Sequence, residues 1–175
     1  PMADTHRLSA GERVATFVVL RVLRSGGMGS LYESRDTRDG GLVALKVMSV
    51  HEPLHASRFD REGRVAEMLD HPHIVRSLGR GRTDDDLAWL AMELLEGEDL
   101  ESRLTLGPLT LAESVALAAQ VCDALAYAHA LGVVHRDIKP SNLFLVGGPR
   151  LSVKVLDFGL AHLADGLRLT RTDVP

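Results

Sequence analysis

The chain lacks the features of a secreted or a nucleic-acid-binding protein. It contains one cysteine, Cys122, so no internal disulfide can form, and a reducing compartment is expected. This cysteine falls in an apolar helical pattern, which predicts a buried thiol. Positive charge is not in excess either, because the formal net charge is −4. A general nucleic-acid-binding protein normally carries clustered Lys and Arg, so none is expected here.

Long apolar runs are also lacking. None approaches the roughly 18 residues of a membrane span, and residues 1–12 do not have the charged-then-apolar order of a signal peptide. We therefore expect a soluble, cytoplasmic protein. At 175 residues and 45% hydrophobic content, the chain can bury the core of one domain or of two small lobes. Because it begins with Pro1 and ends in a polar stretch at Pro175, we expect a fragment that stops inside a loop.

The first half of the chain has the pattern of an antiparallel sheet. Runs rich in β-branched and apolar residues, separated by glycine or charged turns, predict strands at 14–23, 30–35, 42–48, 74–78 and 87–94. Residues 57–69 predict a helix, with Ser57 and Asp60 as a capping box at its start. The charged run 82–86 predicts a solvated turn between the last two strands.

The second half is predicted to be mainly helical. The composition changes near Gly97, and Thr110 with Glu113 three residues later predicts the capped start of a long helix. An apolar stripe along this helix is expected to face the core, and it comprises Leu111, Val115, Ala118, Cys122, Leu125 and Ala128. Residues 143–145 and 152–156 flank a glycine–proline turn and predict a hairpin.

These patterns predict an α+β fold with two lobes. A tail at 1–12 is expected to precede a sheet-and-helix lobe at 13–96 and a mainly helical lobe at 97–175. The groove between two such lobes is a natural place for a ligand.

The densest polar run lies at residues 135–142, which read His-Arg-Asp-Ile-Lys-Pro-Ser-Asn. A carboxylate at Asp137, an ammonium at Lys139 and an amide at Asn142 fall within six positions between two apolar flanks. Pro140 restricts the backbone, so a shaped loop is expected. A polar surface turn is the alternative.

Three further segments could supply partners for this loop. The glycine turn at 25–29 either satisfies turn geometry or lets backbone N–H groups approach a phosphate. Lys46 lies inside an apolar run and needs a partner if it faces inward, for which Glu62 on the predicted helix is a candidate; otherwise it points to water. Asp157 ends a strand, and with Asn142 it supplies the hard oxygen ligands that suit Mg²⁺.

This combination resembles the signature of the eukaryotic-type protein kinase domain over about residues 14–175. The Gly-Gly-Met-Gly sequence at 26–29 resembles the form common in bacterial Ser/Thr kinases. The resemblance implies a protein-kinase-like two-lobe fold, with a five-stranded antiparallel sheet and one helix in the first lobe. The second lobe would be partial, mainly helical and would end in the activation loop.

The resemblance also implies a nucleotide site in the groove. The residues that it places around ATP are Leu23, Gly26, Gly27, Gly29, Leu31, Ala44, Lys46, Met92, Glu93, Leu95 and Phe144. Among these, the glycines would cover the phosphates, Lys46 would hold the α- and β-phosphates, and Met92 would be the gatekeeper beside the hinge that binds adenine. Glu62 would pair with Lys46.

By the same resemblance, Asp137 would orient or deprotonate the substrate hydroxyl, and Lys139 would neutralise the transferring phosphate. Asn142 and Asp157 would hold Mg²⁺, with Mn²⁺ as the alternative ion. The implied function is a cytoplasmic protein serine/threonine kinase whose partners are ATP, a protein substrate and, in a dimer, a second kinase domain. Neither nucleic acid nor a membrane segment is implied.

Phosphorylation of the activation loop is a further expectation. Arg136 precedes the predicted catalytic aspartate and could bind a phosphothreonine. Thr170 and Thr172 are the nearest acceptors, and their alternative interpretation is as ordinary polar loop residues.

Two departures from the kinase pattern weaken the expectation that this fragment is active alone. Arg24 stands where the family usually has its first glycine, and no Ala-Pro-Glu motif follows Asp157. One alternative is a nucleotide-binding, pseudokinase-like regulatory module. Another is a small-molecule phosphotransferase on a related fold, although Lys139 and the Phe-Gly pair after Asp157 resemble protein kinases more closely.

Overall fold

The computed structural model describes residues 8–26, 29–49, 53–147, 151–158 and 162–163. An upper lobe contains strands β1 to β6 and one helix, α1. Their bounds are β1 Arg13–Val14, β2 Phe17–Gly26, β3 Gly29–Asp36, β4 Leu42–Ser49, α1 Pro53–Met68, β5 Ser77–Arg82 and β6 Leu87–Glu93. The six strands form one antiparallel sheet in the order β1-β2-β3-β4-β6-β5.

A lower lobe follows after residues 94–96. Its elements are β7 Gly97–Asp99, α2 Leu100–Thr105, α3 Leu111–Ala130, β8 Val133–Val134, a 3₁₀ turn Pro140–Asn142, β9 Leu143–Val146, β10 Ser152–Val155 and β11 His162–Leu163. The strands form a three-stranded sheet in the order β10-β9-β7 and a two-stranded pair of β8 with β11. Helix α3 packs against β10.

Alternation along β4 divides the upper lobe into two faces. Val43, Leu45 and Val47 are buried in the core on one side of the sheet. Ala44 and Lys46 therefore face the other side, because successive side chains of a strand point in opposite directions. Helix α1 lies on that second side, so the strand itself directs Lys46 towards the helix.

Helix α1 connects the two lobes through its buried face. Phe59 packs with Ala88 and Leu90 beneath the upper sheet. Val65, further along the helix, is fully buried in the lower core, where Leu69 also packs. Residues between these two contacts, Glu62 among them, consequently lie where the lobes meet.

The entry into the lower lobe depends on a glycine. Gly97 opens β7 with φ of +148°, and β7 pairs with β9. A Cβ at this position would collide with the carbonyl oxygen of Leu145, so the close approach of the two strands requires glycine.

The first predicted strand differs from the observed one. Ala15 has φ of +52° and lies with Thr16 in a turn, so residues 14–23 are divided between β1 and β2. The sheet consequently has six strands, the five predicted ones plus the two-residue β1.

Two other predicted boundaries are also wrong. Helix α1 begins at Pro53, so Ser57 lies inside it and the predicted capping box at Ser57 and Asp60 does not exist. The strand predicted at 74–78 lies at Ser77–Arg82, because Ile74 instead forms a parallel bridge with Val155 in the lower lobe. The strand predicted at 87–94 is confirmed by β6, and the charged turn is exposed.

The capped start of α3 is confirmed. The Thr110 side chain accepts a hydrogen bond from the Glu113 backbone N–H, and the Glu113 carboxylate accepts one from the Thr110 backbone N–H. These hydrogen bonds from Thr110 hold the pKa of Glu113 below its ordinary value.

The predicted core stripe of α3 is largely wrong. Leu111 and Val115 are 82% and 61% exposed, and Cys122 is exposed as well, so the prediction of a buried thiol is also wrong. The buried residues of this helix are Val121, Ala124 and Ala128. A long-range contact determines which side of α3 is buried. The Gln120 amide nitrogen donates a hydrogen bond to the Leu151 carbonyl, and its amide oxygen accepts one from the Val153 N–H, so this side of the helix faces β10.

Helix α3 is also long and apolar enough to pass a length-and-composition test for a membrane span, with a mean hydropathy of 1.2. One such helix is weak evidence, because core helices of water-soluble domains pass the same test. One side of the helix contacts β10 and contributes Ala124 and Ala128 to the lower core, while only 22% of its apolar window is buried.

The predicted hairpin at 143–156 is observed as β9 and β10, which pair antiparallel with Val146 opposite Ser152. Residues 148 and 149 of its predicted glycine–proline turn lie outside the described residues.

Candidate active site

One cavity of about 780 Å³ lies between the upper sheet and the polar loop of the lower lobe. Every predicted site residue that the structure describes lines it, namely Leu23, Gly26, Gly29, Leu31, Ala44, Lys46, Glu62, Met92, Glu93, Leu95, Asp137, Lys139, Asn142, Phe144 and Asp157. Gly27, Thr170 and Thr172 lie outside the described residues. The fold therefore brings described residues between Leu23 and Asp157 together around one cavity.

The glycine hairpin between β2 and β3 forms one edge of the cavity. Gly26 pairs with Gly29, and Gly29 has φ of +107°. A Cβ at Gly29 would lie 2.5 Å from the carbonyl oxygen of Val47, so only glycine fits there. Arg24 lines the same edge and adds a cation beside the exposed backbone. Backbone without covering side chains is the geometry that lets phosphate groups approach closely.

Lys46 occupies the charged side of the cavity. Its ammonium group forms an ion pair with Glu62, and it lies 3.4 Å from Oδ1 of Asp157. The side chains of Lys46 and Glu62 are only 18% and 13% exposed, so each charge needs the other. The alternative in which Lys46 points to water is therefore wrong.

The three charges shift one another's ionisation. Burial by itself would lower the pKa of Lys46, but the charges of Glu62 and Asp157 outweigh burial and raise it. Burial raises the pKa of Glu62, and the Lys46 ammonium opposes this only in part. Burial would also raise the pKa of Asp157, but the positive charge of Lys46 and the hydrogen bond that its ammonium donates hold this pKa below its ordinary value. Asp157 is thereby kept ionised at the cavity edge.

The polar loop holds Asp137 with two neighbours. Lys139 Nζ donates to Asp137 Oδ2 at 2.7 Å, and Asn142 Nδ2 donates to the backbone oxygen of Asp137 at 2.8 Å and to Oδ2 at 3.2 Å. The hydrogen bond from Lys139 is the largest cause that lowers the pKa of Asp137. The carboxylate is thus ionised and held in one orientation at the cavity, which does not support the alternative of a polar surface turn.

The loop is joined to the end of β10 by hydrogen bonds. The backbone oxygen of Asn142 accepts from the Leu156 N–H at 2.9 Å. His135 is buried, and its Nε2 donates to the Leu156 carbonyl while its Nδ1 accepts from the Asp137 N–H. Nδ1 can accept a hydrogen bond only when the ring is neutral, and burial correspondingly lowers the pKa of His135. The ring also packs edge-on against Phe158, at a centroid distance of 4.5 Å.

Two site residues have a strained backbone. Arg136 and Asp157 adopt φ of +67° and +58°, the left-handed region that side chains other than glycine rarely occupy. Such conformations cost about 1–3 kcal/mol each and persist where surrounding contacts impose them. The hydrogen bonds of His135 and Asn142 flank both positions and supply these contacts.

Sequence reasoning missed much of the apolar wall. Met48, Phe59, Ile74, Val75, Leu90 and Leu156 also line the cavity. For one of them a signal was available, because Met48 lies two residues after Lys46 on β4 and must share its face. Ile74 and Val75 could not be found in this way, since their approach depends on the bridge to β10.

The donor set between the loop and β10 fits a hard divalent cation. Asn142 donates through its amide nitrogen, which leaves Oδ1 directed elsewhere, and Asp157 is an ionised carboxylate. An amide oxygen and a carboxylate are ligands typical of Mg²⁺ sites that are completed by water and phosphate oxygens. Among the described residues, no group of three or more His, Cys, Asp and Glu side chains could hold a metal alone.

Comparison with known proteins shows close similarity to one family. A profile of the protein kinase domain matches residues 17–173. Serine/threonine-protein kinase Pkn1 of Myxococcus xanthus is 39% identical over 170 residues, and serine/threonine-protein kinase PknJ of Mycobacterium tuberculosis is 39% identical over 172 residues. These matches cover 94% and 95% of this chain.

Solved structures show similarity to the same family. The crystal structure of the M. tuberculosis PknI kinase domain superimposes with a TM-score of 0.76 at 33% identity, over 87% of this chain and 62% of that one. The chain spans less than a third of the curated relatives named above, 24% of Pkn1 and 29% of PknJ.

Proposed function

This chain belongs to the protein kinase domain family, and from that premise we propose that it forms the nucleotide-binding and catalytic-loop part of a protein serine/threonine kinase. The reaction would be transfer of the γ-phosphate of ATP to a serine or threonine hydroxyl. The observation that carries the proposal is the convergence of Lys46, Glu62 and Asp157 with the loop of Asp137 and Asn142 on one cavity.

Binding of ATP divides between the two sides of the cavity. The apolar wall, which includes Ala44 and Phe144, would enclose the adenine ring, while the backbone after Glu93 would bind its polar edge. The glycine hairpin and the Lys46 ammonium would bind the phosphates. Because Glu62 already holds Lys46, the ammonium needs no reorganisation when the nucleotide enters.

Mg²⁺ is the proposed metal, with Mn²⁺ as the alternative, and Asn142 and Asp157 would hold it. When bound, the ion would neutralise charge on the phosphate oxygens. The choice of Mg²⁺ rests on the hard oxygen donors and on the small number of protein ligands, since Mg²⁺ usually keeps several waters.

Asp137 is proposed to orient the acceptor hydroxyl and accept its proton. Its carboxylate is ionised, and Lys139 and Asn142 fix its direction. Lys139 lies 2.7 Å from Asp137 and half exposed to the cavity, where its charge would stabilise the transferring phosphoryl group. The lysine at this position resembles Ser/Thr kinases, whereas tyrosine kinases usually lack it, and this resemblance supports a Ser/Thr acceptor.

The setting of the reaction is also a proposal. We expect a cytoplasmic protein that acts on protein hydroxyls, with a second kinase domain as a dimer partner and Thr170 or Thr172 as acceptor for Arg136-dependent activation. The pseudokinase-like alternative is not favoured, because the Lys46–Glu62 ion pair is formed and the four polar residues of the loop and strand end line the same cavity, namely Asp137, Lys139, Asn142 and Asp157.

The test is phosphotransfer from γ-labelled ATP·Mg²⁺ to a histone mixture. Asp137→Asn is expected to reduce kcat about 10²–10⁴-fold, because a positioned proton acceptor contributes on that order. Asp123→Asn is the control, since this exposed aspartate on α3 lies outside the cavity, and its rate should stay within about twofold of the original.

The acceptor class is tested in parallel. Transfer to the histones but not to aminoglycosides or choline supports a protein kinase, and the reverse result supports a small-molecule phosphotransferase. If Asp137→Asn leaves phosphotransfer unchanged, the assigned role of Asp137 is wrong.

A further inference from the structure

Lysine is rare in this chain. Of the 20 Lys and Arg residues, only Lys46, Lys139 and Lys154 are lysines. Two of them line the cavity and have roles in the proposed reaction. The third, Lys154 on β10, has no role so far, although a chain that otherwise uses arginine keeps a compact ammonium there.

Lys154 joins three separate segments. Val153 and Val155, its neighbours on β10, are fully buried in the lower core, so Lys154 projects from the opposite face of the strand. Its ammonium group donates to Glu93 Oε1 at 2.6 Å and to the Ile74 carbonyl oxygen at 3.2 Å. Glu93 ends β6 in the upper lobe, and Ile74 lies between α1 and β5, so one side chain connects both lobes.

Glu93 also makes several hydrogen bonds at this contact. Its Oε1 accepts the Arg76 backbone N–H at 2.8 Å as well as the Lys154 ammonium, and its own N–H donates to the Arg76 carbonyl at 3.0 Å. The side chains of Lys154 and Glu93 are 17% and 24% exposed, so the pair is largely withdrawn from solvent. A pair in such a place is screened less by water and salt than a surface pair.

The contact lies between the two walls of the cavity. Leu94 and Leu95, which follow Glu93, line one side of the cavity. Asp157, three residues after Lys154, lines the other side. Backbone bonds of Val155 with residues 73 and 75 already fasten the 73–76 segment to β10. The Lys154–Glu93 pair is the side-chain contact that extends this fastening to the end of β6.

We propose that Lys154, through Glu93, is a positioning residue that fixes the connecting segment 93–96 against β10 and so sets the spacing of the nucleotide cavity. Lys154, Glu93 and the Ile74 carbonyl together form a latch between the lobes. The latch is present in the same structure as the Lys46–Glu62 pair, so it stabilises the arrangement in which the charged residues converge. The nucleotide part of this inference rests on the proposed function.

The first test does not depend on kinase activity. Hydrogen exchange by mass spectrometry is compared for the original protein and Lys154→Met, which removes the charge but keeps the side-chain length. Exchange in the peptides that carry the Arg76 and Glu93 amides is expected to become about tenfold faster, while exchange in the β2–β3 hairpin stays unchanged. If the variant and the original protein exchange at the same rate in the peptides of Arg76 and Glu93, the latch is overturned even if the protein is a kinase.

The second test measures ATP. Lys154→Met is expected to raise the KM for ATP about tenfold with a change in kcat of less than threefold, because the cavity loses its spacing but not its reacting groups. Lys154→Arg keeps the charge but has a larger planar head group, and a threefold increase is expected. A kcat loss with unchanged KM would contradict the inference.

A double-mutant cycle separates the latch from a general loss of stability. Glu93→Gln should raise the KM for ATP to a similar extent, and the Glu93→Gln, Lys154→Met double variant should be no worse than either single variant. Multiplicative effects of the two changes would show that the residues act independently and would overturn the proposal. If the original protein binds no ATP, the proposed function fails, while the exchange test still decides the latch.

Discussion

At the scale of single residues, the site depends on positions with an unusual backbone conformation. Gly29 has a positive φ and no room for a Cβ, and Asp157 keeps a left-handed backbone despite its side chain. Such positions explain why the motifs could be recognised in the sequence. A residue that is required for its chemistry or its backbone conformation can be recognised from the local sequence, without knowledge of its distant neighbours.

Replacement of Gly29 by alanine tests this directly. The positive φ should cost about 1–2 kcal/mol, and the collision with the Val47 carbonyl should add about 1–3 kcal/mol. Gly40→Ala is the matched control, because Gly40 has φ of +78° but open space around its Cβ, so only the first cost applies. Chemical denaturation should show a larger loss of unfolding free energy for Gly29→Ala, and equal losses would contradict the packing seen here.

At the scale of elements, one local signal was confirmed and another was wrong, while features that depend on distant segments were missed. The capping box predicted at Ser57 and Asp60 failed because α1 begins earlier, at Pro53. The capping box of Thr110 and Glu113 was predicted because both partners lie within one helical turn. The buried face of α3 was predicted wrongly, since the choice of face depends on the bonds from Gln120 to residues around β10. For the same reason the Lys154–Glu93 pair was missed, as 61 positions separate its members.

The β3–β4 hairpin offers a test at the scale of one element. Arg38 donates to both carboxylate oxygens of Asp36, and these side-chain hydrogen bonds lower the pKa of Asp36 to about 2. Because the folded pKa lies below the unfolded value of about 3.9, the contribution to stability is present above the unfolded pKa and is lost as pH falls through the folded one.

Asp36→Asn should therefore destabilise the protein at pH 6, and its difference from the original protein should shrink as pH is lowered from about 5 towards 2. Thermal unfolding across that range is the measurement. Arg38→Gln should remove the same pH-dependent difference. A difference that stays constant with pH would show that the Asp36–Arg38 pair does not contribute in the way described.

At the scale of the whole molecule, two lobes are held in one arrangement by a few shared elements. Helix α1 contributes Phe59 to the upper core and Val65 to the lower one, and the 73–76 segment bonds to both β6 and β10. Glu62 is fixed between these contacts, so Lys46, Glu62 and Asp157 come together only in this arrangement of the two lobes. The sequence motifs predicted which residues would meet, but the structure was needed to show that this geometry is reached.

The central claim is that this cavity binds ATP·Mg²⁺ through the Lys46 ammonium, and one calorimetric titration tests it most directly. The original protein should bind ATP·Mg²⁺ with one site per chain. Lys46→Met should weaken the affinity about 10–100-fold, because a charge-assisted contact of roughly 1.5–3 kcal/mol with the phosphates is lost. No binding by the original protein, or equal binding by Lys46→Met, would contradict the account.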